Sequence, residues 1–213
     1  MGILDIHSRL AELERLIREW PGLVSRSERD SGAGLVDDSL VLLDHLGPIR
    51  TLVDVGSGAG LPGLPLKIAR PDLRVTLVEA NKDKAAFLVH ACAALGLEGV
   101  TVVARRAEEA ARNPELREAF DVAVARALAP MPVLIELCLP FVKVGGRFLA
   151  QKTGRADVAS AENAIALLGG RVAAIHDAPS AARVLGTVVE IEKVTTTPAT
   201  YPRRVGVPSK KPL

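Results

Sequence analysis

Residues 54–63 read DVGSGAGLPG, with four glycines directly behind the apolar run TLVDV. Backbone this bare at the end of an apolar run lets a ligand approach main-chain groups closely. Two acids follow where they could serve the same ligand. Glu79 ends a second apolar run, RVTLVEA, and Glu108 follows a third, VTVVA, within RRAEEA. Arg126 stands just after a fourth run, DVAVA. An arginine is always charged and carries five donors, so it suits a carboxylate, a phosphate or the O6/N7 edge of guanine. Nucleophile chemistry has no comparable support. His7, His45, His90 and His176 are scattered, with no Ser-His-Asp or Cys-His arrangement and no metal-ligand spacing. No metal is expected.

Two cofactor classes compete for the glycine run. Gly58, Gly60 and Gly63 match the dinucleotide fingerprint in form, and Glu79 lies about 20 residues on, where a ribose-binding acid belongs. The register opposes that reading. The apolar run ends at Val55, so the turn opens at Gly56 and the fingerprint would begin two residues late. Pro62 and Pro65 fit only the first turn of a helix, because proline has no N–H to give an interior position. The helix is therefore expected to start near Leu61, leaving Gly56-Ser57-Gly58-Ala59-Gly60 as the ligand loop with Asp54 ahead of it. An acid followed by this loop resembles the S-adenosylmethionine loop of class I methyltransferases. That cofactor has no pyrophosphate. It offers an ammonium, a sulfonium and a ribose diol, which favour acceptors; Glu79 suits the diol and Glu108 the adenine.

These residues need a scaffold that gathers them. From residue 48 onward the pattern alternates strand and helix. Strands are expected at 51–55, 74–80, 100–104, 121–125 and 146–151, nearly continuous in apolar residues, as in a parallel sheet covered on both faces. The helix over 81–96 should be capped by Asn81 and closed by Gly96. Further helices are expected in MPVLIELCLPFV and DVASAENAIALLG. Alternating βα units imply an open, doubly wound α/β sheet, with ligands beyond the carboxyl ends of the strands. GRVAAIHDA and RVLGTVVEIEKV lie too close for a crossover helix and predict an antiparallel hairpin at the sheet edge. Ahead of this domain (48–213), residues 1–47 read as a helical extension, with helices at 3–19 and 36–46.

The 213 residues suit one sizeable domain. Cys92 and Cys138 form neither a CxxC pair nor a disulfide framework and read as thiols in two helices. The N-terminus has no apolar signal region and no run would span a bilayer, so a cytoplasmic setting is expected. After Glu192 there are five cations and no acid, against 22 basic and 25 acidic residues before it. A basic tail on an acidic body suits a polyanion, or is simply a solvated terminus.

The stretch DVGSGAGLPGLPLKIARPDLRVTLVEANKDKAAFL resembles the RsmG (GidB) family of bacterial 16S ribosomal RNA guanine-N7 methyltransferases. The likeness continues through ARRAEE, FDVAVARALAP, GGRFLAQK and the closing YPRRVGVPSKKPL, roughly from residue 36 to the end. It implies a class I methyltransferase (Rossmann-like) fold, S-adenosylmethionine as cofactor, and 16S rRNA, the small subunit or its assembly intermediate as partner. It also implies that Gly56, Leu61, Glu79, Ala107, Glu108 and Arg126 hold the cofactor. The loop reading adds Asp54, Ser57, Gly58 and Gly60. Arg126 is the catalytic candidate, and Lys152, Tyr201, Arg203, Arg204, Lys210 and Lys211 are the RNA candidates. The chain departs from the family at Leu35, where a His is usual, and at Lys152-Thr153-Gly154. A non-catalytic RNA-binding module on the same fold and a nicotinamide dehydrogenase are the alternatives.

Overall fold

The computed structural model describes residues 3–23, 34–126, 129–154 and 158–213. Its centre is a seven-stranded sheet in the order β3-β2-β1-β4-β5-β7-β6. Strands β1 (Thr51–Val55), β2 (Arg74–Val78), β3 (Val100–Val103), β4 (Phe120–Arg126) and β5 (Val142–Thr153) run parallel. The hairpin β6 (Gly170–Asp177) and β7 (Gly186–Lys193) is antiparallel, with β7 against β5 and β6 at the edge. The chain winds outward from β1 through β3 and then crosses to β4 on the other side of β1. The strand order therefore reverses between β1 and β4, where such sheets hold their ligands.

Successive residues of β1 feed opposite faces. Leu52 joins a core with helices α1 (Ile3–Glu19), α4 (Gly63–Ala69) and α5 (Lys82–Ala94), through Leu13, Leu64 and Phe87. Val53 and Val55 join a second core with α7 (Met131–Cys138) and α8 (Glu162–Leu167). Two buried faces explain the unbroken apolar runs. The N-terminal helices share the first core, and Trp20 packs edge-on against Phe87 at 5.3 Å.

The expected helix over 36–46 is two short ones, α2 (Leu35–Leu40) and α3 (Leu43–Leu46). The Ser39 hydroxyl donates back to the Leu35 carbonyl at 2.9 Å, a bond that bends helices, and the chain turns at Val41 and Leu42. The first βα helix begins at Gly63, two residues later than expected, with Pro65 still in its first turn. Strand β2 stops at Val78, leaving Glu79 just past its end. Asn81 caps α5 as expected, its side chain accepting from the N–H groups of Asp83 and Lys84. Cys138 is buried and Cys92 half-buried; burial pushes the Cys92 thiol up to about 11.

Lys193, at the end of β7, is wholly buried. Its ammonium donates to the Leu139 carbonyl at 2.9 Å and to Thr197, and it lies 3.1 Å from Glu118. These contacts join the hairpin to the start of the C-terminal segment. Lys193→Ala removes the cation and leaves Glu118 and the carbonyl without it. The expected loss is about 3 kcal/mol, the low end for a broken buried pair because Glu118 keeps some access to water. Urea unfolding followed by circular dichroism checks this; a loss within experimental scatter would show the cluster to be inert.

Candidate functional site

The loop beyond β1 is stitched in place by its own backbone. The Gly56 and Ser57 N–H groups both donate to the Val78 carbonyl at the end of β2. The Ser57 hydroxyl donates to the Asp54 carbonyl at 2.9 Å, so it braces the turn and is itself buried. The Gly60 and Leu61 N–H groups return to the Ser57 carbonyl. Gly60 has φ +82°, and a Cβ there would sit 2.4 Å from Leu64. Gly63 serves packing: an added Cβ would meet Leu77 at 2.6 Å and Asp54 Oδ2 at 2.8 Å. The third glycine of the apparent dinucleotide fingerprint is thus a contact between helix and strand.

Asp54 lies beneath the loop, wholly buried. Its Oδ2 accepts from the Gly63 N–H at 2.9 Å, while Oδ1 has no hydrogen-bond partner. Burial pushes its carboxyl up to about 7, against the opposing pull of the Gly63 bond. Its place is structural support; it does not line the cavity above. Glu79 accepts from Gly58 N–H at 2.8 Å with one oxygen and from Asn81 N–H at 2.7 Å with the other. Each oxygen keeps a further lone pair for a ligand hydroxyl.

Above this frame is a cavity of about 230 Å³ lined by Gly56, Val78, Glu79, Ala80, Arg105, Arg106, Ala107, Glu108, Ala129, Leu137 and Ser209. It gathers four of the expected cofactor residues: Gly56, Glu79, Ala107 and Glu108. Gly58, Gly60 and Leu61 belong to the loop and are not among the residues lining this cavity. Glu108 is nearly buried in α6 (Ala107–Ala110), and its Oε1 accepts from the Gly206 N–H at 2.9 Å.

Arg126 faces a second cavity, of about 600 Å³, shared with Leu35, Asp38, Gln151, Lys152 and Arg183 among others. Its guanidinium donates to the Leu35 carbonyl at 3.3 Å and lies 3.5 Å from Asp38. Arg183, from the loop between β6 and β7, meets the other Asp38 oxygen at 3.1 Å. Burial lowers the Arg183 pKa against the opposing effect of Asp38. The Lys152 ammonium donates to the Ala129 carbonyl at 2.9 Å, and burial lowers its pKa. Gln151 donates to the Asp38 carbonyl at 2.6 Å, leaving its Oε1 without a partner. Asp38, Gln151 and Arg183 were not among the expected site residues. Asp38 lies within the stretch covered by the family resemblance, from about residue 36 onward; Arg183 carries no local signal. The two cavities border the chain at and just after the end of β4, one at Arg126 and the other at Ala129.

The basic terminus needs correcting. Arg203, expected to meet phosphate, is clamped onto the fully buried Glu136 of α7, with Nε at 2.9 Å from Oε1. Its backbone N–H donates to the same carboxylate at 2.8 Å. Tyr201 is half-buried against the second core. The Tyr201 carbonyl accepts from Arg117 and the Pro202 carbonyl from Arg112. Arg204, Lys210 and Lys211 remain exposed. The terminus is therefore folded onto the body, with only some of its cations outward. Among the described residues there is no group of three or more His, Cys, Asp or Glu that could hold a metal, and no helix is long and apolar enough to cross a membrane.

Comparison with known proteins agrees with this frame. The fold resembles that of MtNAS in complex with S-adenosylmethionine, with a TM-score of 0.58 at 24% identity over 88% of this chain and 73% of that one. It also resembles a T. thermophilus 16S rRNA N2 methyltransferase in complex with AdoMet and guanosine, with a TM-score of 0.52 at 19% identity over 76% of this chain and 40% of that one. The parallel sheet, the reversal at β1 and β4 and the glycine loop define a class I methyltransferase fold. A family model described as rRNA small subunit methyltransferase G matches residues 22–185. A protein of that name from Roseiflexus castenholzii is 52% identical over 164 residues, covering 76% of this chain and 70% of the relative. One from an Exiguobacterium species is 39% identical over 217 residues, covering 95% and 91%. The chain belongs to the rRNA small subunit methyltransferase G family.

The buried Asp54 generates a pH prediction. Its folded pKa of about 7 stands above the ordinary 3.8, so its contribution to stability is whole below about pH 4 and is lost as pH rises to about 7. Asp54→Asn lacks that loss. Its melting temperature, measured against the parent chain from pH 4 to 7, should gain about 2–4 °C for each kcal/mol at stake. Parallel melting curves across this range would show that Asp54 does not titrate there.

Proposed function

We propose that the chain transfers a methyl group from S-adenosylmethionine to N7 of a guanine in 16S rRNA. The observation that carries this reading is the pairing of two cavities on either side of the strand-order reversal, one beyond β1 to β3 and the other beyond β4 and β5. One is walled by the glycine loop and two carboxylates; the other is larger and cationic. The first fits the cofactor's chemistry. Glu79 retains lone pairs for the ribose hydroxyls, and Glu108 has Oε2 to offer the adenine. When bound, the cofactor supplies a methyl group activated by a positively charged sulfur.

The second cavity is lined by Arg126 and Arg183, both on the Asp38 carboxylate, and by Lys152, with Asp38 the one carboxylate among its described lining residues. Uncompensated cations favour a polyanion. Exposed Arg204, Lys210 and Lys211 extend that reading as phosphate contacts. Arg126 takes the role of orienting the base or its phosphate beside the loop.

Neutral guanine carries no proton on N7, so this chemistry needs no side-chain base. The histidines lie elsewhere: His45 stacks on His176 at 4.4 Å, and His90 packs against Trp20. The residues act by placement, and orientation alone can supply about 7–11 kcal/mol of a barrier. The family resemblance supports the N7 assignment, and the cytoplasm is the matching compartment.

Base-resolution mapping of methyl groups added to unmodified small-subunit rRNA tests the proposal. A single modified guanine is expected, with transfer lost when 7-deazaguanine replaces it. Transfer that survives this replacement would overturn N7 as the acceptor. Glu79→Ala should weaken cofactor binding by about 1–3 kcal/mol, the range for losing ligand-facing hydrogen bonds. Calorimetry on the folded variant reads this directly, and unchanged affinity would remove Glu79 from the site.

A further inference from the structure

The C-terminal segment reads from its charge as a surface element that serves a polyanion. Its inner face says otherwise. Ser209 lines the same cavity as Gly56, Glu79 and Glu108. Three residues earlier, Gly206 donates its N–H to Glu108 at 2.9 Å. The carboxylate assigned to the adenine end of the cofactor thus also seats the tail. Gly206 has φ +78°, a left-handed conformation natural to glycine, and it starts the short turn that carries Ser209 to the cavity.

The seat is firmly built. Arg203 binds Glu136 through its side chain and backbone, and its Nη2 also reaches the Lys211 carbonyl at 2.8 Å, drawing the far end of the segment back. Arg112 and Arg117 follow α6 closely and take the carbonyls of Pro202 and Tyr201. The stretch holding Glu108 and the tail are therefore cross-linked. Pro208 is buried, while Arg204 and Lys210 point outward. Charge-assisted bonds to buried partners are the strong kind, so this segment is ordered by design of its contacts and not by chance packing.

We propose that residues 206–209 form the adenine-side wall of the cofactor pocket, with Ser209 facing the ligand and Gly206 tying the wall to Glu108. This rests on the cofactor reading of that cavity. It makes the tail a cofactor-binding element as well as a candidate RNA surface. Anything that binds only the seated tail stabilises it by mass action. The cofactor and the tail therefore support one another.

Two measurements on the 213-residue chain test the wall. S-adenosylhomocysteine, which has the same adenosine moiety, should slow tryptic cleavage after Arg204 and Lys210. Ser209→Trp, which places a large ring at the cavity, should weaken its binding by about tenfold or more in calorimetry, one decade being a modest steric and contact penalty of about 1.4 kcal/mol. Val205→Trp, on the exposed side of the same segment, should bind as the parent does. Melting temperatures of both variants near that of the parent would confirm intact folds. Unchanged affinity in Ser209→Trp, or cleavage indifferent to the ligand, would overturn the wall. Glu79→Ala measured alongside separates the readings: loss there with none at Ser209 refutes the wall and leaves the pocket, whereas a parent chain that fails to bind refutes both.

Discussion

Asp54 accepts from the Gly63 N–H nine residues later, inside the protein and out of reach of water. That one bond ties the end of β1 to the start of α4, so everything between must fold into a tight loop. Gly56 and Ser57 then reach the Val78 carbonyl, which aligns the loop with the end of β2 and brings Glu79 to Gly58. Gly63 must lack a side chain because Leu77 and Asp54 leave no room for one. The arrangement has a cost. The second Asp54 oxygen is buried without a partner, and desolvation raises the acid toward neutrality. Strained or under-satisfied polar groups persist where the surroundings over-determine them.

A second carboxylate organises the neighbouring cavity. Asp38 comes from the N-terminal helices, Arg126 from the end of β4 and Arg183 from the edge hairpin. Three distant stretches of chain meet at one acid. Two guanidiniums on one carboxylate leave the region positive, and Lys152 adds to this. The N-terminal helices thus line this cavity as well as joining the first core.

The terminal segment divides its charges by function. Arg203, with Arg112 and Arg117 from the body, is spent on internal carbonyls and on Glu136. Arg204, Lys210 and Lys211 remain outside. A net charge counts these alike. Burial separates them, because an arginine facing a buried glutamate is neutralised by it, whereas the exposed cations have no such partner among these contacts.

Much of the fold was legible in the residues alone. Period and punctuation placed β1 at 51–55, α1 at 3–19, the Asn81 cap and the antiparallel hairpin, because such features depend on neighbours within a few residues. The glycine loop and Glu79 were legible for a related reason: each follows directly on the end of a strand, and parallel strands bring their ends to one edge; Glu108 lies further on, in α6, and Ala107 came from the family resemblance alone. What tertiary structure decided was the set of partners. Nothing near Arg183 marks it as a neighbour of Asp38, 145 positions away, and nothing near Ser209 marks it as a wall of a cavity built by residues 56–137. Asp54 and Ser57 read as ligand contacts because their types allow it, and only packing showed them turned inward. Local sequence limits which conformations a segment can adopt. Long-range burial determines which polar group each side chain meets, and so which of its possible roles is left to it.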